Sequence, residues 1–147
     1  MNIKKNVSLW LFQIVLCVLC FIYFIKFYST MNILTVYLLL LIPMFLTAIL
    51  YFLCIKLNFL EKTSQRDTCI ISTIFSIINT IAVIVQNSII LVRGDIVKKL
   101  IENSKKIMDT QYLFVKQESN LMDYIMIFGL SFFLFYCIGR KKSGQKQ

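Results

Sequence analysis

Cys17 and Cys20 stand in a C-x-x-C spacing, the arrangement in which one thiolate attacks a disulfide and its neighbour resolves the mixed product. That chemistry needs a lowered thiol pKa, yet both cysteines lie in the middle of an apolar run with no basic neighbour. In such a setting a thiol behaves as a small hydrophobe. Cys54, Cys69 and Cys137 sit at the ends of other apolar runs without partners in sequence. Histidine is absent, so a His-containing metal site cannot come from this chain, and no metal or other cofactor is predicted. No glycine-rich phosphate loop or nucleophile elbow occurs either, and an enzyme is not expected.

The polar residues between Cys69 and Val92 are better organised. Ser72, Ser76, Asn79 and Gln86 recur at steps of four, three and seven, with Val83 filling the gap, so a helix would place them on one face. Thr73, Thr80 and Asn87 follow on the adjoining stripe. Two uses fit this pattern. The side chains could hydrogen-bond to neighbouring helices as polar glue, or they could line a path or a site for a small polar ligand.

A second organised segment, residues 95–110, has Ile96, Val97, Leu100, Ile101, Ile107 and Met108 on one side. Lys98, Lys99, Glu102, Lys105, Lys106 and Asp109 fill the other. The pattern Lys-Lys-apolar-apolar-acid occurs at Lys98 and again at Lys105, seven residues on, which predicts a regular amphipathic helix. Lying against lipid headgroups is the plain role for it. Docking a partner through Val97, Leu100, Ile101, Ile107 and Met108 is the sharper one.

These segments belong to a strongly apolar chain. Apolar residues make up 59% of it and the mean hydropathy is +0.77, beyond the range of a soluble domain. Four apolar runs, at about 7–27, 33–55, 69–92 and 121–139, have the length and composition of membrane spans. The predicted architecture is therefore all-α: one integral membrane domain over 1–147, with four transmembrane helices and the amphipathic helix between the third and fourth. Pro43 inside the second run predicts a kink. The first run is too long for a signal-peptide core and is expected to stay attached.

The net charge of +9 comes from basic residues beside the apolar runs, which fits lipid and membrane orientation better than nucleic acid. With both termini in the cytoplasm, nine basic residues fall inside and seven outside. The nearest flanks, Lys4 and Lys5 at one end and Arg140, Lys141 and Lys142 at the other, favour that arrangement. The 93–120 loop carries Arg93, Lys98, Lys99, Lys105, Lys106 and Lys116 and is the feature that opposes it. No ionisable residue occupies the middle of any run, and Asp123 lies at the edge of the fourth. A proton-coupled transporter normally needs such a group.

Small multidrug exporters, which also have four helices, carry a glutamate in the first helix, where this chain has only Gln13, and four-helix thiol oxidoreductases use a C-x-x-C in the last helix and loop cysteines, which Cys137 alone cannot supply. Neither resemblance holds. The functional expectation is an accessory, regulatory or protective factor of the cell membrane. It would bind the bilayer and another membrane component, whether a membrane-protein partner or a second copy. The alternative is a small oligomeric channel or transporter for a neutral or weakly polar solute.

Overall fold

A computed structural model describes residues 3–105 and 121–140. Within them the chain forms α1 (Ile3–Phe27), a 3-10 turn (Tyr28–Thr30), α2 (Ile33–Lys56), α3 (Gln65–Val92), α4 (Gly94–Lys105) and α5 (Leu121–Gly139). Helices α1, α2, α3 and α5 are long and apolar enough to cross a membrane, so the described residues include four candidate spans. Ile107 and Met108, with the end of the expected amphipathic segment, lie outside the described residues.

The helix ends follow local chemistry. The third helix starts at Gln65 rather than Cys69 because Ser64 caps it: Ser64 Oγ accepts the Asp67 main-chain N–H at 3.3 Å, and the Asp67 charge lies at the positive end of the helix dipole. Asn32 caps α2, its Oδ1 accepting from the Thr35 main-chain nitrogen at 2.7 Å and the Thr35 hydroxyl at 2.8 Å. At the other end of α2 the Asn58 N–H donates to Ile55 and the Phe59 N–H to Cys54, a Schellman turn. Asn58 adopts the left-handed φ of 60° that this turn requires. The helix runs through Pro43 as one element, with the proline buried.

Helices α1 and α5 each pack on α2 and α3, and α3 with α5 forms the most extensive pair. One core cluster is aromatic. Phe75 of α3 stacks on Phe135 of α5 with ring centres 4.1 Å apart, Tyr51 of α2 tilts against both, and Trp10 of α1 meets Phe75 edge-on at 6.3 Å. A second cluster, at the far end of α1, joins Phe24, Met31, Val36 and Leu39 to Ile96 and Leu100 of α4. Beyond these clusters the helices present an apolar exterior; Leu121 is 71% exposed and Phe133 is 68% exposed. An exterior of this kind suits hydrocarbon rather than water.

Candidate functional site

The polar stripe on α3 faces into the bundle, where Ser72, Ser76, Asn79 and Gln86 are all buried. Asn79 uses both ends of its amide. Its Oδ1 accepts from Gln13 Nε2 of α1 at 2.6 Å, and its Nδ2 donates to Ser131 Oγ of α5 at 2.7 Å. Gln13 Nε2 also reaches the Phe75 carbonyl at 3.3 Å. One residue thus ties three helices together.

The hydroxyls on α3 mostly turn back on their own helix. Ser76 donates to the Ser72 carbonyl, Thr80 to Ser76 and Thr73 to Cys69, each at 2.8 Å. These bonds satisfy the hydroxyls without any ligand. Ser72 Oγ is buried and has no partner among the described residues.

Gln13 and Ser131 were not distinguished as site residues by spacing, because Ser131 stands alone in its helix and Gln13 has only Asn6, seven residues earlier, on its face. A signal was present nonetheless: Gln13 is the one amide in the first apolar run, 7–27, and Ser131 the one serine or threonine in α5. A lone polar residue in a span needs a partner on another span.

Gln86 differs from Asn79. Only 4% of it is exposed, yet its Nε2 has no hydrogen-bond partner among the described residues. It lies at a groove of about 330 Å³ bounded by α1, α2 and α3. Cys17, Cys20 and Phe21 form one wall, Leu39, Leu40 and Pro43 the second, and Ile78, Ala82, Val85 and Gln86 the third. Cys17 and Cys20 continue the inner stripe of α1 between Gln13 and Phe24, but they are short and only half-buried. Small side chains where α1 crosses its neighbours account for the hollow, and Ala82 does the same on α3.

At the end of the bundle that holds the α1–α2 turn, α4 closes over the chain. Asn103 Nδ2 donates to the Ser29 and Met31 carbonyls at 2.8 and 2.9 Å, while Ser104 Oγ accepts the Ile33 main-chain N–H at 3.0 Å. Ile96 and Leu100 are buried beneath it, and Val97 and Ile101 are half-buried. Much of the face expected to meet headgroups or a partner is therefore taken by the chain itself. Leu100 is used inside the fold, because a helix only two residues after Val92 folds back onto the α1–α2 turn. Lys98, Lys99, Glu102 and Lys105 remain exposed. Tyr28 adds a polar latch: its hydroxyl donates to Asp95 Oδ2 at 3.4 Å, and Arg93 and Lys99 lie over its ring. The Arg93 side chain bonds Asp95 at 3.2 Å and holds its carboxyl below the usual aspartate value.

Among the described residues the chain is helical, with four candidate membrane spans, an internal amide clasp and an apolar groove between α1, α2 and α3. No family model, curated protein or solved structure matches the chain.

Proposed function

We propose that this protein is a multi-pass accessory factor of the cell membrane, both termini in the cytoplasm, that acts by binding another membrane component rather than by catalysis. The observation that carries this reading is the apolar groove of about 330 Å³ between α1, α2 and α3. The channel alternative has less to stand on. Asn79 and the serine and threonine hydroxyls around it are used in packing, which removes them as the lining of a solute path.

Photo-crosslinking tests the role. A benzoylphenyl side chain replacing Val18, on the groove wall, is expected to yield a discrete adduct in native membranes. The same group replacing Leu11, which is exposed and absent from that wall, provides the background. Ala82→Leu, which fills the hollow, should remove the adduct. Labelling at Val18 that matches Leu11, or that ignores Ala82→Leu, overturns the reading.

A further inference from the structure

We propose that the end of the bundle opposite α4 holds the headgroup of an anionic phospholipid through Lys62, Arg66 and Arg140. This site shares no residue with the groove, and its occupancy does not depend on what the groove binds. Among the described residues these three side chains are exposed and form no ion pair. Glu61 and Asp67 stand next to them in sequence, yet neither forms a salt bridge with them. Their charge is left for a partner.

Orientation across a membrane depends on how many basic residues flank each span, and it does not require those residues to meet. Here the fold makes them meet. The Thr63 N–H donates to the Gly139 carbonyl at 3.3 Å, and Thr63 pairs with Arg140 in a parallel bridge. Bridged main chains run about 5 Å apart, so Lys62 and Arg140 start from neighbouring points although α3, α4 and α5 lie between them in sequence. Arg66 is held at a similar depth. Thr68, two residues further into α3, has its Cγ2 only 3.2 Å from where a Cβ on Gly139 would stand. Like charges gathered in this way repel one another, and an anion set among them offsets the repulsion.

Depth selects a phospholipid over a soluble anion. With 19 residues α5 is about 28 Å long, close to the roughly 30 Å of hydrocarbon, so once the spans are inserted Arg140 stands at the hydrocarbon edge, where the headgroup layer begins. The Arg140 guanidinium lies 5.7 Å from the centre of the Tyr136 ring, folded back along α5 rather than stretched away from the bundle. Apolar side chains lie beside the cations as well. Leu57 and Phe59 of the α2–α3 loop are 63% and 69% exposed, which suits the acyl layer beneath a headgroup. Clusters of basic residues at the end of a span bind acidic lipids, and here Lys141 and Lys142 follow Arg140 in sequence. In the orientation proposed above this end faces the cytoplasm, on whose side anionic lipids concentrate.

The test places a benzoylphenyl side chain at Phe59 of the full chain, reconstituted in vesicles of phosphatidylcholine and phosphatidylglycerol in equal amounts. Light joins it to the acyl chain it touches, and mass spectrometry of the adduct identifies the headgroup. The same group replacing Leu19, exposed on α1, gives the background. The ratio of phosphatidylglycerol to phosphatidylcholine adducts at Phe59 should exceed that at Leu19 several-fold, by about five-fold for each cation the headgroup engages. Replacing the three cations together, Lys62→Gln, Arg66→Gln and Arg140→Gln, should bring the Phe59 ratio down to that at Leu19. Lys98→Gln, Lys99→Gln and Lys105→Gln take the same charge from α4 and should leave it unchanged. Equal ratios at Phe59 and Leu19 with the native cations in place overturn the site, and that comparison stands by itself should the triple variant fail to fold. A Phe59 preference that survives the first set of changes, or falls equally with the second, overturns it too. In native membranes, a Phe59 adduct to protein and not to phospholipid would assign these cations to an acidic partner and refute the lipid.

Discussion

Asn79 joins the buried polar side chains of three helices, bonding Gln13 of α1 and Ser131 of α5. Replacing it with leucine removes two interhelical bonds at once and leaves Gln13 Nε2 and Ser131 Oγ facing an apolar side chain. Hydrogen bonds between membrane helices are worth about 0.6 kcal/mol on average, but unpaired buried groups cost more, so Asn79→Leu should lower stability by about 1–3 kcal/mol. Unfolding in detergent measures it. Because the three side chains act together, Gln13→Leu combined with Asn79→Leu should cost clearly less than the two changes summed; additivity would show the clasp to be energetically idle. Gly139 makes a different demand. A Cβ there would stand 2.6 Å from the Tyr51 hydroxyl and 3.2 Å from Thr68 Cγ2. Tyr51 cannot swing away, since it is buried against Phe75 and Phe135. Gly139→Ala should therefore destabilise by roughly 1–3 kcal/mol, as overpacking does, and Tyr51→Phe in the same chain should recover part of the loss by removing the clashing oxygen.

At the scale of elements, the long helices were legible because about 20 apolar residues in a row have few alternatives to a span. The polar face of α3 was legible because four residues share one helical period. Gln13 and Ser131 were not, since one or two polar residues in a helix set no clear period, and the partner that gives each its meaning lies 66 or 52 positions away. The groove was hidden for a related reason: it arises from small residues on separate helices, and no one helix shows it. The amphipathic character of α4 was plain, but amphipathicity does not say what covers the apolar side. Here Asn103 and Ser104 decide it by engaging the α1–α2 turn. Replacing both with alanine should free α4, seen as faster trypsin cleavage at Lys98, Lys99 and Lys105 while the spans stay protected. The Asp95 latch gives a pH dependence of fixed sign. Arg93 depresses the Asp95 pKa in the folded chain, so the stabilisation is present above the unfolded value of about 3.9 and is lost as pH falls through the lower folded value. A fluorophore on α4 should gain mobility only below about pH 4, by a small amount because the pair is exposed. In Asp95→Asn that acid step should disappear.

Across the whole molecule, the connections determine which ends of the helices lie together. The α4 cap binds the α1–α2 turn, while at the opposite end the Thr63 N–H donates to the Gly139 carbonyl at 3.3 Å and joins the α2–α3 loop to the end of α5. Inserted as four spans, such a bundle would place α4 on one side of the bilayer and Lys56, Lys62, Arg66 and Arg140 on the other. The absolute direction then turns on charge. Lys98, Lys99 and Lys105 of α4 pull it toward the cytoplasm, against the basic residues at the termini and in the α2–α3 loop. The latter group is larger and includes the flanks of the first and last spans, so both termini should be cytoplasmic and α4 external. A single reporter cysteine can decide this in a variant stripped of Cys17, Cys20, Cys54, Cys69 and Cys137. The reporter belongs at Glu102, which is exposed, and not at Ser104, which is buried against Ile33. A membrane-impermeant maleimide should reach Glu102→Cys from outside intact cells. Reaction only after the membrane is opened would reverse the orientation and put the α4 lysines on the cytoplasmic face. The Gln86 end of the groove would then lie in the inner leaflet, where anionic lipids concentrate.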